Sequence, residues 1–295
     1  MNILAKFDAV EIKADLRISE ADRKFCSIHQ NAYEAAQNSL LELLYFWEDI
    51  IKTKIPVPSP TSTRTISYFP SRDGLQVSSD SLRKHLESLH NIFVTNLVDY
   101  FNHHYRITIA SFLILRELLP KEPQDGPGYK SAMETYHEEL LTLSLNWQQV
   151  VDLIFLQFDG RGLTEQALYE LKEKCHSAAW NTYRKICCYE RKKSCIRFTS
   201  AACRYKDWQH CWEMNEGMTN ILAGIAHFET GSFSAIPDEI SPLMNNSYIY
   251  SDVTEFSTCK KVQQIRLYKN GRADIKFADE SLAKKFVEDY LGTVC

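Results

Sequence analysis

The sequence has no long hydrophobic run and no secretory start. No stretch approaches the roughly 20 consecutive apolar residues that a helix needs to cross a bilayer. The opening residues, MNILAKFDAVEIK, do not place an uninterrupted apolar run behind a basic start, as a signal peptide does. We therefore expect a protein that binds no membrane and works in a cytoplasm.

The common catalytic motifs are also missing. The chain contains no GxSxG, no GxxxxGK followed by Ser or Thr, no GxGxxG after a predicted strand and no HExxH. The mechanisms that depend on those motifs have no support, so we predict no enzymatic activity, no catalytic residues and no cofactor. One alternative is a metal-dependent nuclease built on Asp8, Glu11 and Lys13, although alternating Glu and Lys are also ordinary on a solvated strand.

Cysteine is plentiful, with nine residues, six of them between Cys175 and Trp212. Because the chain shows no export signal, we expect most of them to be reduced thiols packed as small hydrophobic side chains. Zinc is the sharper alternative, but zinc sites usually take two ligands from a C-x2-C turn, and from Cys187 onward four cysteines recur every eight residues. We predict no metal ligand. Adjacent Cys187 and Cys188 leave a redox site open, against buried cysteines on a helix.

The overall composition is that of a folded globular protein. The 295 residues are 44% apolar and 24% charged, with a formal net charge of -4, which is close to the globular average. This length allows one large domain or two ordinary ones. Proline and glycine cluster between Pro120 and Gly128, so we predict a boundary there, with an N-terminal region 1–125 and a C-terminal region 126–295.

The N-terminal region opens with a clear strand pattern. Residues 10–18, VEIKADLRI, alternate strictly between apolar and charged side chains, which predicts a half-buried strand. A helix is predicted from Ser19 to about Lys54, where a series of prolines ends it. These prolines open a long arm rich in Pro, Ser and Thr over residues 55–79, which is either mobile or docks on a partner.

Helical spacing of apolar residues predicts most of the remaining elements. The predicted helices are 79–101, the second half of ITIASFLILRELL, 129–143, 147–158, a helix from 164 into the cysteine-rich stretch, and 213–228. Short strands are predicted at 194–199 and 247–253. Asp279 is predicted to cap a final helix.

The C-terminal segment VQQIRLYKNGRADIKF predicts a β-hairpin, because Asn-Gly at 270–271 separates two β-rich runs. A two-residue loop would put the apolar residues of the two strands on different faces. A three-residue loop with a left-handed Gly271 pairs Ile265 with Ile275 and Arg266 with Asp274, so we predict this loop. The chain then closes with a ββα unit, and the fold class is α+β, mainly helical with small antiparallel sheets.

Positive charge concentrates between Cys175 and Trp212, where eight basic residues face two acidic ones. A cationic and aromatic surface on an acidic chain favours a negative ligand or an acidic partner face. It suits a nucleic-acid site that combines phosphate contacts with base stacking, a protein interface, or simply a solvated helix face. The residues that we predict to contact a partner are Arg184, Lys185, Arg191, Lys192, Lys193, Arg197 and Trp208.

The closing segment IRLYKNGRADIKFADESLAKKFVEDYLG resembles the C-terminal end of a family of uncharacterised proteins carried by phages and prophages, sometimes near DNA methyltransferases. The segments WQQVVDLIFLQFDGRGLTEQALYELKEKC and ILAGIAHFETGSF agree with this resemblance. By length and layout, the whole chain also resembles the phage-encoded Gabija anti-defence proteins.

This resemblance implies a non-enzymatic inhibitor in the cytoplasm of the host cell. Such a protein self-associates and surrounds the bacterial Gabija complex of a nuclease-ATPase and a helicase-like partner, blocking its access to DNA. No catalytic residue is carried over from the family. The alternative is a nucleic-acid-binding or nucleic-acid-processing protein of a mobile element, which would contact DNA directly.

Overall fold

The structure is a computed structural model that describes residues 17–52, 55–56, 65–66, 78–181, 186–199, 201–245 and 249–292. The chain divides into two compact units, Met1–Leu163 and Thr164–Cys295. Its fold is α+β, mainly helical with small antiparallel sheets, as predicted. The Pro/Gly run that we expected at a domain boundary lies inside the first unit, between two of its helices.

Five helices account for most of the described part of the first unit. They are α1 (Glu20–Lys52), α2 (Ser79–Tyr105), α3 (Ser111–Leu118), α4 (Tyr129–Thr142) and α5 (Trp147–Gln157). Two short strands, β1 (Ile55–Pro56) and β2 (Thr65–Ile66), pair antiparallel within the predicted arm, most of which lies outside the described residues. The helices predicted from apolar spacing are confirmed here.

Side-chain hydrogen bonds mark where two of these helices begin. Ser78 and Asn146 each form a reciprocal capping box, at the starts of α2 and α5 respectively, which satisfies backbone N–H groups that have no partner inside the helix.

The predicted strand at 10–18 falls outside the described residues except for its last two, Arg17 and Ile18, which are not in a strand.

A buried carboxylate fastens the beginning of α1 to α2. Asp22 accepts hydrogen bonds from the backbone N–H of Ser19 at 2.9 Å and from its hydroxyl at 2.6 Å. Two hydroxyls from the C-terminal half of α2 also donate to it, Tyr100 at 2.8 Å and Tyr105 at 2.6 Å. A buried carboxylate is tolerated when its acceptor sites are filled in this way.

The second unit consists of a helix, a run of six short strands, two further helices and a closing group of three strands and a helix. After α6 (Leu163–Ala179) come β3 (Trp180–Asn181), β4 (Ile186–Cys187), β5 (Tyr189–Lys192), β6 (Cys195–Phe198), β7 (Cys203–Lys206) and β8 (Cys211–Met214). The chain then forms α7 (Glu216–Thr230), α8 (Ser241–Met244), β9 (Val253–Glu255), β10 (Val262–Leu267), β11 (Ala273–Phe277) and α9 (Glu280–Phe286), which continues as a π-helical turn, Val287–Leu291.

Five of these strands form one antiparallel sheet in the order β5-β6-β11-β10-β9. The predicted hairpin register is confirmed, since Ile265 lies opposite Ile275 and Arg266 opposite Asp274. Gly271 has a φ of 82° and lies in the three-residue loop that we predicted. Asp279 accepts a hydrogen bond from the N–H of Leu282, so the closing ββα unit is also confirmed.

One face of this sheet carries the core of the second unit. Its buried side chains include Ile196, Phe198, Ile265, Ile275 and Phe277, which pack with apolar residues of α7 and α9 in a single cluster. The cluster reaches back to Cys175 on α6, whose Sγ would lie 2.6 Å from a Cβ added at Gly224 of α7. The two helices therefore approach closely at this glycine.

Two predictions for the second unit are wrong. The helix predicted from 164 is confirmed and ends at Ala179, but Cys187 and Cys188, expected on a helix, are not helical. Cys187 lies on β4, and Cys188 lies in the bend between β4 and β5. Residues 247–248 of the other predicted strand, 247–253, lie outside the described residues. In its described part, Ile249 makes a single bridge to Trp212, and β9 starts at Val253. The predicted strand at 194–199 is confirmed as β6, and the helix at 213–228 as α7.

None of the helices among the described residues combines the length and the apolar character that a membrane crossing demands.

Candidate binding surface on the five-stranded sheet

The face of the sheet opposite the core is polar, and we call it the outer sheet face. Because side chains alternate between the two faces of a strand, burying Ile196 and Ile275 places their neighbours Arg197 and Asp274 on this outer face. Residues that lie directly opposite one another on neighbouring strands form two rows across this face, from β9 to β5. The rows are Val253-Arg266-Asp274-Arg197-Glu190 and Glu255-Gln264-Lys276-Cys195-Lys192.

Asp274 is the centre of the outer sheet face. Arg197 donates to both of its carboxylate oxygens, with Nε and Nη2 each 3.1 Å away. The hydroxyl of Tyr268 donates to Oδ2 at 3.2 Å, and Nε of Arg272 lies 3.3 Å from Oδ1 without the alignment of a hydrogen bond. A two-pronged arginine–carboxylate contact fixes the orientation of both groups, so Asp274 holds two guanidinium groups in place.

A stack of charged and aromatic side chains continues this centre along the β10–β11 hairpin. The guanidinium carbon of Arg272 lies 3.7 Å from the centroid of the Tyr268 ring, and that of Arg266 lies 5.6 Å from the same centroid. Cations within about 6 Å of an aromatic ring are attracted to it. Tyr268 therefore has a guanidinium group directly over its ring.

The outer sheet face has more positive than negative charge. Its basic side chains are Lys192, Arg197, Arg266, Arg272 and Lys276, and its acidic ones are Glu190, Glu255 and Asp274. Among the described residues, Arg266 and Lys276 form no ion pair, and both are exposed. These two cations are open to an outside ligand.

A second hairpin, β7–β8, lies beside the loop of the β10–β11 hairpin. The N–H of Ala202 donates to the carbonyl of Gly271 at 2.8 Å, and Nζ of Lys269 lies 4.2 Å from the centroid of the Tyr205 ring. Trp208, in the turn of β7–β8, is 79% exposed. An indole offers a large apolar area together with an N–H donor, so its exposure at a hairpin turn suits a contact surface.

The predicted contact residues fall at different places. Lys192 and Arg197 lie on the outer sheet face, where Lys192 pairs with Glu190 at 3.2 Å. Arg191 lies opposite buried Ile196 and pairs with Glu280 at 3.1 Å. Lys193 is in the β5–β6 turn, and Trp208 is on the β7–β8 hairpin. Arg184 and Lys185 lie outside the described residues.

Three cations of the outer sheet face were not among the predicted contact residues. They are Arg266, Arg272 and Lys276, all on the C-terminal hairpin. The predicted register already placed Arg266 opposite Asp274 on a non-core face, so the signal was present in the hairpin sequence. What the sequence does not reveal is that β6 brings Arg197 to the same carboxylate from 77 positions away.

The described part of the chain contains mostly free cysteines. Cys26, Cys175, Cys188, Cys195, Cys203, Cys211 and Cys259 are free thiols, as expected for most cysteines, whereas Cys187 is disulfide-bonded. Burial, and then the charge of Asp274, raises the pKa of Cys195, which disfavours its reactive thiolate. Within the described ranges, no three His, Cys, Asp or Glu side chains are placed to hold a metal ion.

Comparisons with known proteins give no match for this chain among family models, curated proteins or solved structures.

Proposed function

We propose that the protein is a phage anti-defence protein that acts without catalysis. As a homo-oligomer in the host cytoplasm, it binds a bacterial Gabija-type complex of nuclease-ATPase and helicase-like subunits and blocks the access of that complex to DNA. The identity of this partner comes from the resemblance of the sequence. The mode of action, binding through a surface, is supported by the second unit.

The observation that carries the proposal is Trp208, exposed at the tip of the β7–β8 hairpin next to Asp207, which pairs with Lys269 of the β10–β11 loop at 3.9 Å. Tryptophan and arginine are the residues on which protein–protein affinity most often depends. Two of the predicted cations are already paired with carboxylates at the sheet edge, Arg191 with Glu280 and Lys192 with Glu190. Such pairing weakens the attraction for a phosphate backbone and supports a protein partner.

Co-purification tests the proposal. We expect the tagged protein to retain the nuclease-helicase complex, to suppress its DNA cleavage, and to scatter light as a multiple of the chain mass. Retention of neither subunit, or full cleavage at saturating protein, would contradict the inhibitor role. A monomer in solution would contradict the oligomer.

Truncating Trp208 should weaken this binding. Because a buried interface tryptophan commonly contributes about 2 kcal/mol, Trp208→Ala is expected to raise the dissociation constant for the complex roughly thirtyfold. Phe112→Ala is the matched control, since Phe112 is also a highly exposed aromatic residue but belongs to the first unit. Equal affinities of the two variants in a titration by interferometry would remove Trp208 from the interface.

The second candidate is direct nucleic-acid binding, which the excess of cations on the outer sheet face favours. It predicts affinity for DNA that falls steeply with salt and is lost on replacing Lys192, Arg266 and Lys276 of this face together by Gln. Absence of such binding in an anisotropy titration would count against this candidate.

A further inference from the structure

We infer that the outer sheet face is the docking site for an extended acidic segment of a protein partner. This inference rests on the proposed function only in that the protein acts by binding another protein. Carboxylate side chains of this segment contact Arg266 and Lys276. The guanidinium groups of Arg197 and Arg272, next to Asp274, add to the positive charge of the site.

The two cations that form no ion pair within the described chain are spaced to match an extended peptide. Arg266 lies opposite Asp274, and Lys276 is two residues further along the same strand, so the two cations are diagonal neighbours on one face. Diagonal positions in an antiparallel pair lie about 7–8 Å apart. Alternate residues of an extended chain are separated by about 7 Å. Acidic residues at positions i and i+2 of an extended segment therefore match both cations.

The neighbouring cations, Arg197 and Arg272, are already held in place before a ligand binds. Arg197 is held by two hydrogen bonds to Asp274, and Arg272 is held between Asp274 and the ring of Tyr268. Side chains that are already fixed lose little conformational freedom when a ligand arrives. Asp274 cancels only one of the two charges that it orients, so this centre stays positive.

The acidic and aromatic side chains of the outer sheet face favour a protein segment over a nucleic-acid strand. Asp274 lies between Arg266 and Arg197, and Glu190 and Glu255 lie at the two edges of the sheet, so a continuous phosphate backbone that crosses this face would meet a carboxylate at each of these places. A strand of bases also needs aromatic faces to stack on, but the ring of Tyr268 has Arg272 over it at 3.7 Å. A peptide with alternating carboxylates avoids both problems, because its uncharged positions can lie beside the acidic side chains.

The test uses the full-length protein and two fluorescent probes. One is a short peptide in which Glu and Thr alternate, and the other is an oligothymidylate of matched charge. We expect the peptide to bind at low salt, to weaken as salt rises, and to bind more tightly than the oligothymidylate. Replacing both cations, Arg266→Gln with Lys276→Gln, should weaken peptide binding about tenfold.

The matched control is Lys284→Gln with Lys285→Gln. It removes the same charge from α9, whose buried residues pack against the opposite face of the sheet. We expect peptide affinity to be retained in this variant, and thermal unfolding to confirm that both double variants fold. Equal losses in the two variants would mean attraction by net charge alone and would overturn the inference.

Other outcomes also decide the matter. Tighter binding of the oligothymidylate, abolished by Arg266→Gln with Lys276→Gln, would assign the outer sheet face to nucleic acid and overturn the inference. Failure of the peptide to bind, while the nuclease-helicase complex still co-purifies, would overturn the inference and leave the proposed function standing. Peptide binding without co-purification would support the inference and reject the proposed Gabija partner.

Discussion

At the scale of single residues, the close approach of α6 and α7 depends on the absence of a side chain at Gly224. A Cβ there would lie 2.6 Å from Sγ of Cys175, which is fully buried. The better helix propensity of alanine offsets only part of this overlap. We expect Gly224→Ala to lower the free energy of unfolding by about 1–2 kcal/mol, measured by urea denaturation.

Gly217 provides the control in the same helix, because a Cβ at Gly217 would meet Ala178 at 3.4 Å, an ordinary contact. Gly217→Ala should leave stability unchanged or raise it slightly. Adding Cys175→Ala to Gly224→Ala should recover part of the loss, since the clashing sulfur is gone. Additive losses in the double variant would show that this contact is not the cause.

Asp22 gives the first unit a pH-dependent contribution to stability. Burial acts to raise its pKa, but hydrogen bonds from Ser19, Tyr105 and Tyr100 act against burial, and the net pKa is lower than usual. The unfolded chain, with a pKa of about 3.9, therefore takes up the proton more readily. This contribution is complete above the unfolded pKa and is lost as pH falls through the folded one.

We expect Asp22→Asn to lose about 2 kcal/mol at neutral pH and to show a weaker dependence of the unfolding temperature on pH below about pH 4. Glu20→Gln is the control, because Glu20 is an exposed acid in the same first turn of α1. Thermal unfolding followed by circular dichroism at several pH values measures both. An acid dependence of Asp22→Asn equal to that of the unmodified protein would contradict this role.

At the scale of elements, the C-terminal hairpin shows what local sequence can specify. Its register follows from where the apolar residues must point and from a loop that needs a left-handed residue at Gly271. Both are local, so the prediction succeeded. The β5–β6 and β6–β11 pairings of the same sheet were not predicted, because a four-residue strand such as Cys195–Phe198 contains no information about a partner far along the chain.

The candidate site was likewise predicted only in part from the sequence. Arg197 and Lys192 were predicted as contact residues because charge clusters near them in the sequence, and both lie on the outer sheet face. Arg191 was selected by the same criterion, yet it lies on the other side of its strand, since adjacent residues alternate. Charge clustering in the sequence is enough to select this region. Which face of the sheet each residue occupies follows only once residues 189–192 are known to form a strand and not the expected helix.

Gly271 tests how strongly the hairpin loop depends on glycine. Its φ of 82° strains any other residue, and an added Cβ would lie 3.3 Å from the backbone N of Ala201. Gly231 has a φ of 70° but no atom within 4 Å of the position of an added Cβ, so Gly231→Ala measures the backbone strain without a contact. We expect both Ala variants to lose about 1 kcal/mol from strain, with Gly271→Ala losing more in denaturant titrations. Equal losses would mean that the contact with Ala201 costs nothing.

At the scale of the whole molecule, the two compact units divide between Leu163 and Thr164, and not at the Pro/Gly run. The sequence placed the boundary at the Pro/Gly run because such residues interrupt helices, and they do lie between α3 and α4. Long-range packing is what defines a unit, however, and it groups α4 and α5 with the preceding helices. A local break in structure therefore does not identify a domain boundary by itself.

The second unit should consequently fold without the first. Its largest buried cluster draws every member from residues 175–291, and it joins α6, the five-stranded sheet, α7 and α9 into one core. A fragment of residues 160–295 keeps that whole core, whereas a fragment of residues 201–295 lacks β5 and β6 and exposes one edge of β11. We expect cooperative urea unfolding, followed by circular dichroism, for the longer fragment alone. Gradual unfolding of the longer fragment would show that the core needs the first unit to form.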